Sequence, residues 1–164
     1  MKTKLLISCL LIYTVGYTQI ENGIIAQFNL NNNLTDESEN LISANGNSGV
    51  STFAEDRNAA PNNCIEFSGS DYVEFNDADI KVPLPITISV WVYADVIDGS
   101  YPHIIFASDN FFNNYYGYAL GINHSGEVNL RMAGGLGGSS SSNRRTFLTV
   151  PVITQGNWHH IVAI

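Results

Sequence analysis

The chain has 164 residues, of which 15 are acidic and 7 are basic, so its formal net charge at pH 7 is −8. A surface of this charge repels phosphate backbones, which argues against nucleic acid as a partner. The length suits one domain that buries most of its apolar surface without disulfides or metals.

The first 18 residues have the features of a secretory signal peptide. Lys2 and Lys4 precede an apolar run that is shorter than the roughly 20 residues needed to span a membrane. Small residues near its end predict cleavage before Gln19, and no other segment is suited to cross a membrane. The tetrapeptide ending at Cys9 also matches a bacterial lipoprotein box, but the apolar run continues past it. We therefore expect export to the outside of the cell or to its surface.

Residues 19–164 should form a single domain. After loss of the leader, five basic residues remain against 15 acidic ones, a net charge of −10. Cys64 is then the only cysteine, so an internal disulfide is excluded. Runs with a period of two alternate with turn residues, and no helical periodicity of useful length occurs. These patterns predict an antiparallel all-β protein, either a sandwich or a jelly roll.

The run CIEFSGSDYVEF predicts the first hairpin. Its alternation places apolar side chains on one face if Phe67 lies opposite Val73, with the turn at residues 69–71. The same register places Glu66 directly opposite Glu74.

The run TISVWVYA predicts a strand that is covered on one side. Its apolar face consists of Ile86, Ile88, Val90 and Val92. The opposite face consists of Thr87, Ser89, Trp91 and Tyr93.

The run GYALGINHSGEVNLRM predicts a second hairpin, with its turn at residues 124–126. Its apolar face consists of Tyr118, Leu120, Ile122, Val128, Leu130 and Met132. The Gly- and Ser-rich stretch at 133–145 predicts a long mobile loop, which could serve as a ligand lid or simply form the rim.

The final run, QGNWHHIVAI, predicts a strand with apolar residues on both faces and therefore with a neighbour on each side. Trp158, His160 and Val162 share one face. His159 points to the other face, so the two histidines are not suited to bind one metal ion.

Five stretches, taken in order, resemble the laminin G-like jelly roll of the concanavalin A-like lectin and glucanase superfamily. They are GIIAQFNLNNNLTDESENLISANG, CIEFSGSDYVEF, ITISVWVYAD, GYALGINHSGEVNL and NWHHIVAI. The resemblance implies an antiparallel β-sandwich. It also implies that the family pattern continues beyond Ile164, so that this domain is truncated at its C-terminus.

The resemblance also implies a possible calcium site. Asp36 stands where the family has an acidic loop residue, and Asn33 could supply a further oxygen, as calcium requires six to eight. Glu39 stands where the family often has glycine. The alternative is a plain acidic turn.

Aromatic residues mark the candidate ligand-binding surface. Trp91 and Tyr93 point outward from their strand, and Tyr115 and Tyr116 lie in an aromatic and Asn-rich loop. Flat aromatic faces beside amides suit sugar rings, although the same residues could pack beneath a rim loop.

The sequence therefore predicts a secreted, non-catalytic module that binds a polysaccharide or another extracellular glycan or protein, in the role of adhesion or carbohydrate binding. The alternative is a glycoside hydrolase of the same superfamily. Such an enzyme needs two carboxylates about 5–9 Å apart. Glu66 and Glu74 could be that pair, but the Glu-x-Asp-x-x-Glu strand of many hydrolases in this superfamily is missing.

Overall fold

The structure is a computed structural model. It describes residues 23–46, 52–68, 71–75, 84–97, 103–108, 116–134 and 144–164. The predicted leader, Tyr115 and most of the Gly- and Ser-rich stretch lie outside these ranges. Within them the chain forms ten strands and no helix: β1 Ala44–Gly46, β2 Phe53–Ala54, β3 Cys64–Ile65, β4 Val73–Phe75, β5 Ile88–Tyr93, β6 His103–Ser108, β7 Tyr116–Ile122, β8 Glu127–Gly134, β9 Arg144–Pro151 and β10 Trp158–Ala163. In the described part of the chain, no helix could cross a membrane.

The strands pair as one large sheet and three ribbons, and every pairing is antiparallel. The large sheet has the order β6-β7-β8-β9, whereas β5 pairs with β10, β1 with β4 and β2 with β3. The prediction of an antiparallel all-β protein is therefore confirmed.

The hydrophobic core lies between the large sheet and the β5–β10 ribbon. Leu120 and Ile122 of β7 contact Ile161 of β10 and Ile153 of the connecting segment, and Leu120 is completely buried. The partly buried side chains around them include alternate residues of β5: Ile88, Val90 and Val92. Two antiparallel layers thus pack face to face, which is the arrangement of a β-sandwich.

The strand predicted at TISVWVYA is confirmed. Along β5 the side chains alternate between half-buried and exposed, and the apolar ones face the core. Because successive side chains of a strand point to opposite faces, Trp91 and Tyr93 are directed away from the core.

The predicted β7–β8 hairpin is also confirmed. Leu120 pairs with Leu130 and Ile122 with Val128, which places these apolar residues on the core face. The Oδ1 atom of Asn123 accepts hydrogen bonds from the backbone N–H groups of Ser125, at 2.9 Å, and Glu127, at 3.0 Å. A local side-chain bond of this kind closes a tight turn.

Gly126 connects this turn to the segment between β9 and β10. Its carbonyl oxygen accepts hydrogen bonds from the N–H groups of Val152 and Ile153, at 3.0 and 2.9 Å. Its φ angle is +79°, and a Cβ atom at this position would lie 2.4 Å from the carbonyl oxygen of Ile153. Glycine is therefore required both by the backbone conformation and by the close approach.

The hairpin predicted at CIEFSGSDYVEF is wrong. Ser68 and Asp71 do contact each other, since the Asp71 carboxylate accepts a hydrogen bond from the Ser68 N–H at 3.0 Å. However, β3 pairs with β2, and β4 pairs with β1 through Glu74 opposite Asn45. Alternation determines which face a residue occupies, but it does not determine which strand lies next to it.

The terminal run forms β10, and its two faces are as predicted. Ile161 is buried in the core, whereas Val162 is half exposed on the opposite face. Among the described residues, the neighbour of β10 is β5, paired from Trp158 with Tyr93 to Ala163 with Ile88.

Candidate functional site

The outer side of the β5–β10 ribbon carries a cluster of aromatic rings. Trp91 lies opposite His160, and Tyr93 lies opposite Trp158. Directly opposed residues share a face of the sheet, so all four side chains point away from the core. We call these four residues the outer aromatic face.

The rings of this face contact one another in cross-strand pairs. The centroids of Trp91 and His160 are 4.8 Å apart, and the two rings are nearly parallel at 12°. The rings of Tyr93 and Trp158 are tilted at 54°, with centroids 5.5 Å apart. Trp91 and Tyr93 nevertheless remain 42% and 45% exposed, so part of each residue stays in contact with solvent.

A hydrogen bond fixes the imidazole of His160. Its Nε2 atom lies 2.9 Å from the hydroxyl oxygen of Ser89, on the neighbouring strand. This bond and the stack on Trp91 hold the imidazole in one orientation. A serine and a histidine at this distance resemble a nucleophile and its base, but catalysis also requires a group that orients the histidine. Among the described residues, no carboxylate bonds to His160.

His159 occupies the other face, as predicted from its position next to His160. The backbone N–H of Thr154 donates a hydrogen bond to its Nε2 atom at 3.0 Å. The two imidazoles are therefore separated by the sheet and have different partners. Within the described ranges, no three His, Cys, Asp or Glu side chains are placed to hold a metal ion together.

The turn before β10 borders the outer aromatic face at Tyr93. A Cβ atom built on Gly156 would lie 3.9 Å from the hydroxyl oxygen of Tyr93, so the turn borders this ring. The N–H of Gly156 donates to the carbonyl of Ala94 at 2.9 Å, which attaches the turn to the end of β5. The exposed side chain of Asn157 lies in the same turn and donates to the hydroxyl of Thr154 at 3.2 Å.

A cation lies over the face. The guanidinium carbon of Arg57 is 4.7 Å from the centroid of the Trp91 ring, within the range of a cation–π interaction. Arg57 belongs to a turn closed by Asp56, whose Oδ1 atom accepts from the N–H groups of Asn58, at 2.8 Å, and Ala60, at 3.0 Å. These backbone hydrogen bonds, and to a lesser extent the charge of Arg57, lower the pKa of Asp56.

The structure brings together only part of the predicted ligand-binding set. Trp91 and Tyr93 are neighbours on the outer aromatic face. Tyr115 lies outside the described residues, and Tyr116 begins β7 with no side chain described. Trp158, His160 and Arg57 were not predicted as site residues. The shared face of the first two was visible in the alternation of the last run, but its pairing with β5 was not.

Asp36 organises the loop that was predicted to bind calcium. Its Oδ1 atom accepts from the N–H groups of Gln27, at 2.8 Å, and Ser38, at 2.9 Å. Its Oδ2 atom accepts from the Ile42 N–H, at 2.8 Å, and the Ser38 hydroxyl, at 2.7 Å. Burial raises the pKa of Asp36, but these four hydrogen bonds outweigh burial and lower it from 3.8 to about 2.

The donor set around Asp36 does not fit calcium in this conformation. The four donors use the lone pairs that a cation would need. The side-chain oxygen of Asn33 accepts from the N–H of Thr35 at 2.8 Å, and its amide nitrogen donates to the carbonyl of Asn31 at 2.9 Å. Calcium binding by Asp36 and Asn33, which the structure does not test, would therefore require this loop to rearrange.

The predicted carboxylate pair is not opposed in the structure. Glu66 follows β3, where its N–H donates to the carbonyl of Thr52 at 3.1 Å. Glu74 lies in β4, opposite Asn45 of β1. Because β3 and β4 have different partners, the register that would align the two carboxylates does not form.

Comparison with known protein families identifies the superfamily of this chain. The family model Laminin_G_3, of the concanavalin A-like lectin/glucanases superfamily, matches residues 67–164. This range includes β4 to β10, and hence both layers of the core and the outer aromatic face, while Arg57 and Asp36 precede it. Comparisons with curated proteins and with solved structures give no match.

Proposed function

The chain belongs to the Laminin_G_3 family of the concanavalin A-like lectin/glucanase superfamily, and we propose that it is a secreted, non-catalytic module that binds carbohydrate through its outer aromatic face. Membership supports a binding or carbohydrate-active module. The observation that supports the finer proposal is the exposure of Trp91 and Tyr93 on a face that the 154–157 turn borders.

The chemistry of this face suits a sugar ring. A pyranose presents an apolar face of C–H groups, which can cover an exposed aromatic ring and displace water from it. Its hydroxyl groups need donors and acceptors at the edge of the ring. Asn157 and Gln155, both exposed in the neighbouring turn, carry such groups. Rings held by cross-strand contacts lose little freedom on binding, which favours affinity.

Binding is a better proposal than hydrolysis for the described residues. Glu66 and Glu74 are not directly opposed, so the hairpin register that would pair their carboxylates does not form. The contact between Ser89 and His160 lies on the flat outer side of a paired ribbon. Among the described residues, no carboxylate orients His160, so this contact lacks the third member of a catalytic triad.

The test is binding of the purified protein to a polysaccharide array, together with an assay for released reducing ends. We expect retention on at least one polymer without release of sugar. Tyr93→Ala and Trp91→Ala should each weaken binding at least about tenfold, the loss of ~1.4 kcal/mol. Phe147→Ala is the control, because Phe147 is 58% exposed and belongs to β9 of the other layer.

Three results would contradict the proposal. An equal loss of affinity in the Phe147→Ala variant would show that any exposed aromatic side chain of the protein binds the polymer. Turnover abolished by Glu66→Gln or Glu74→Gln would favour the hydrolase. Failure to bind any glycan, together with saturable binding to an extracellular protein, would leave an adhesion module without a carbohydrate ligand.

Export is part of the proposal and rests on the leader at residues 1–18. Mass spectrometry of protein expressed with its leader should give a mature chain that begins at Gln19. A lipid-modified N-terminus at Cys9 would instead place the module on a membrane surface.

A further inference from the structure

Arg57 is a cation that forms no ion pair within the described part of the chain. The chain has 15 acidic residues against 7 basic ones, so potential partners are plentiful. Yet Arg57 forms no ion pair with any carboxylate among the described residues, and its defined contact is the ring of Trp91. The neighbouring Asp56 directs Oδ1 into its own turn, toward the N–H groups of Asn58 and Ala60.

The position of this cation suits an anionic ligand group. A guanidinium has five N–H donors and accepts a carboxylate through two parallel hydrogen bonds. Contact with the Trp91 ring uses the face of the guanidinium or part of its edge, and leaves other donors toward solvent, since Arg57 is exposed. A sugar on the adjoining rings would place its substituents within reach of these donors.

We propose that Arg57 makes the outer aromatic face selective for saccharides that carry carboxylate groups, such as polymers of uronic acids. This inference rests on the proposed function, because it specifies the ligand of the same face. The aromatic rings supply affinity for the sugar ring, and Arg57 distinguishes an acidic sugar from its neutral counterpart.

The acidic character of the whole chain does not oppose this assignment at physiological salt. Charges farther away than the Debye length of about 8 Å are largely screened, whereas a contact at hydrogen-bond distance is not. The net charge of −8 should slow the approach of a polyanion at low salt. Affinity for the acidic polymer should therefore be retained at physiological salt and should depend on a local contact.

The experiment compares acidic polymers with their own neutral forms. Polygalacturonate, alginate and hyaluronan are each measured beside the carboxyl-reduced polymer, by calorimetry or affinity electrophoresis. The wild type should bind at least one acidic polymer about tenfold more tightly than its reduced form, as expected for one charge-assisted contact. Arg57→Gln should abolish this preference, so that the variant binds the acidic polymer and its reduced form with equal affinity.

Arg145→Gln is the matched control. Arg145 is also exposed and the substitution removes the same charge, but it lies on β9 of the large sheet. This variant should retain the preference of the wild type. Arg57→Lys keeps the charge without the planar fork, and should retain only part of the preference. Thermal melting of all three variants should match the wild type, because the substituted side chains are exposed.

Each other outcome has a definite meaning. If no acidic polymer binds more tightly than its reduced form, or if only neutral glycans bind, the assignment of Arg57 is wrong and the proposed function stands. Equal loss of preference in Arg57→Gln and Arg145→Gln would reduce the effect to net charge and also overturn it. Failure to bind any glycan overturns the proposed function itself.

Discussion

Replacement of Asp36 by asparagine tests whether this carboxylate is a structural centre of its loop. The variant keeps one side-chain oxygen, but an NH2 group replaces an oxygen that accepts from the Ile42 N–H and the Ser38 hydroxyl. The new NH2 group and the Ile42 N–H are both donors, and they would face each other in a buried site, since Asp36 is only 3% exposed. An unsatisfied buried donor costs about 1–3 kcal/mol, and loss of the charge adds to this.

The pKa of Asp36 gives a second measure of the same contribution. Its pKa falls from 3.8 to about 2 on folding, and the shift corresponds to about 2 kcal/mol of stability at neutral pH. Because the folded pKa is the lower one, this stability is complete above pH ~5. It declines as the pH falls through 3.8 and is lost once the pH is below about 2. We therefore expect Asp36→Asn to lower the free energy of unfolding by about 2–4 kcal/mol at pH 7.

Urea denaturation followed by the fluorescence of the two tryptophans provides the assay. The difference between wild type and variant should narrow between pH ~5 and the lowest pH at which the protein remains folded. Asp95→Asn is the control, because Asp95 is exposed and should change stability by less than about 0.5 kcal/mol. A loss below about 0.5 kcal/mol in Asp36→Asn, or a difference that does not vary with pH, would refute the role assigned to the carboxylate.

Further predictions concern the core, the turn and calcium. Leu120→Ala should lower the free energy of unfolding by about 2–5 kcal/mol, because Leu120 is completely buried. Leu148→Ala is the control and should cost far less, because Leu148 is 55% exposed. Equal losses of stability in urea denaturation would contradict the position assigned to Leu120 in the core. Gly126→Ala should destabilise the protein by more than about 1 kcal/mol and lower its melting temperature, because a methyl group would lie 2.4 Å from the carbonyl oxygen of Ile153. An unchanged melting temperature would contradict this close approach. Calcium should leave the melting temperature equal to that in chelator, since Asp36 is already saturated with donors; a rise with calcium would show that the loop rearranges to bind it.

The faces of the long strands could be predicted from the sequence, because a covered strand must alternate. The six residues of β5 and the β7–β8 hairpin follow their patterns directly. Short turns also carry local signals, as Asn123 and Gly126 do. These features depend on neighbours within a few residues, so local chemistry determines them.

Pairing between distant segments could not be predicted in the same way. The hairpin register of Phe67 with Val73 satisfied the alternation, but so does the observed pairing of β3 and β4 with two other strands. Likewise, nothing near position 57 indicates that Arg57 reaches Trp91. Such contacts depend on how the whole sheet order buries apolar surface, which alternation within one run does not report.

The outer aromatic face is assembled from segments that are far apart in the chain. Ser89 and His160, which bond across the ribbon, are separated by 71 residues, and Arg57 joins them from a third segment. Contacts of such long separation form late in folding, because a long loop must close before they are gained. Ligand binding, and the fluorescence change when Trp91 stacks on His160, should therefore appear only in the last kinetic phase of refolding. A newly made chain would acquire its binding surface only after the strand from Trp158 to Ala163 has paired with β5.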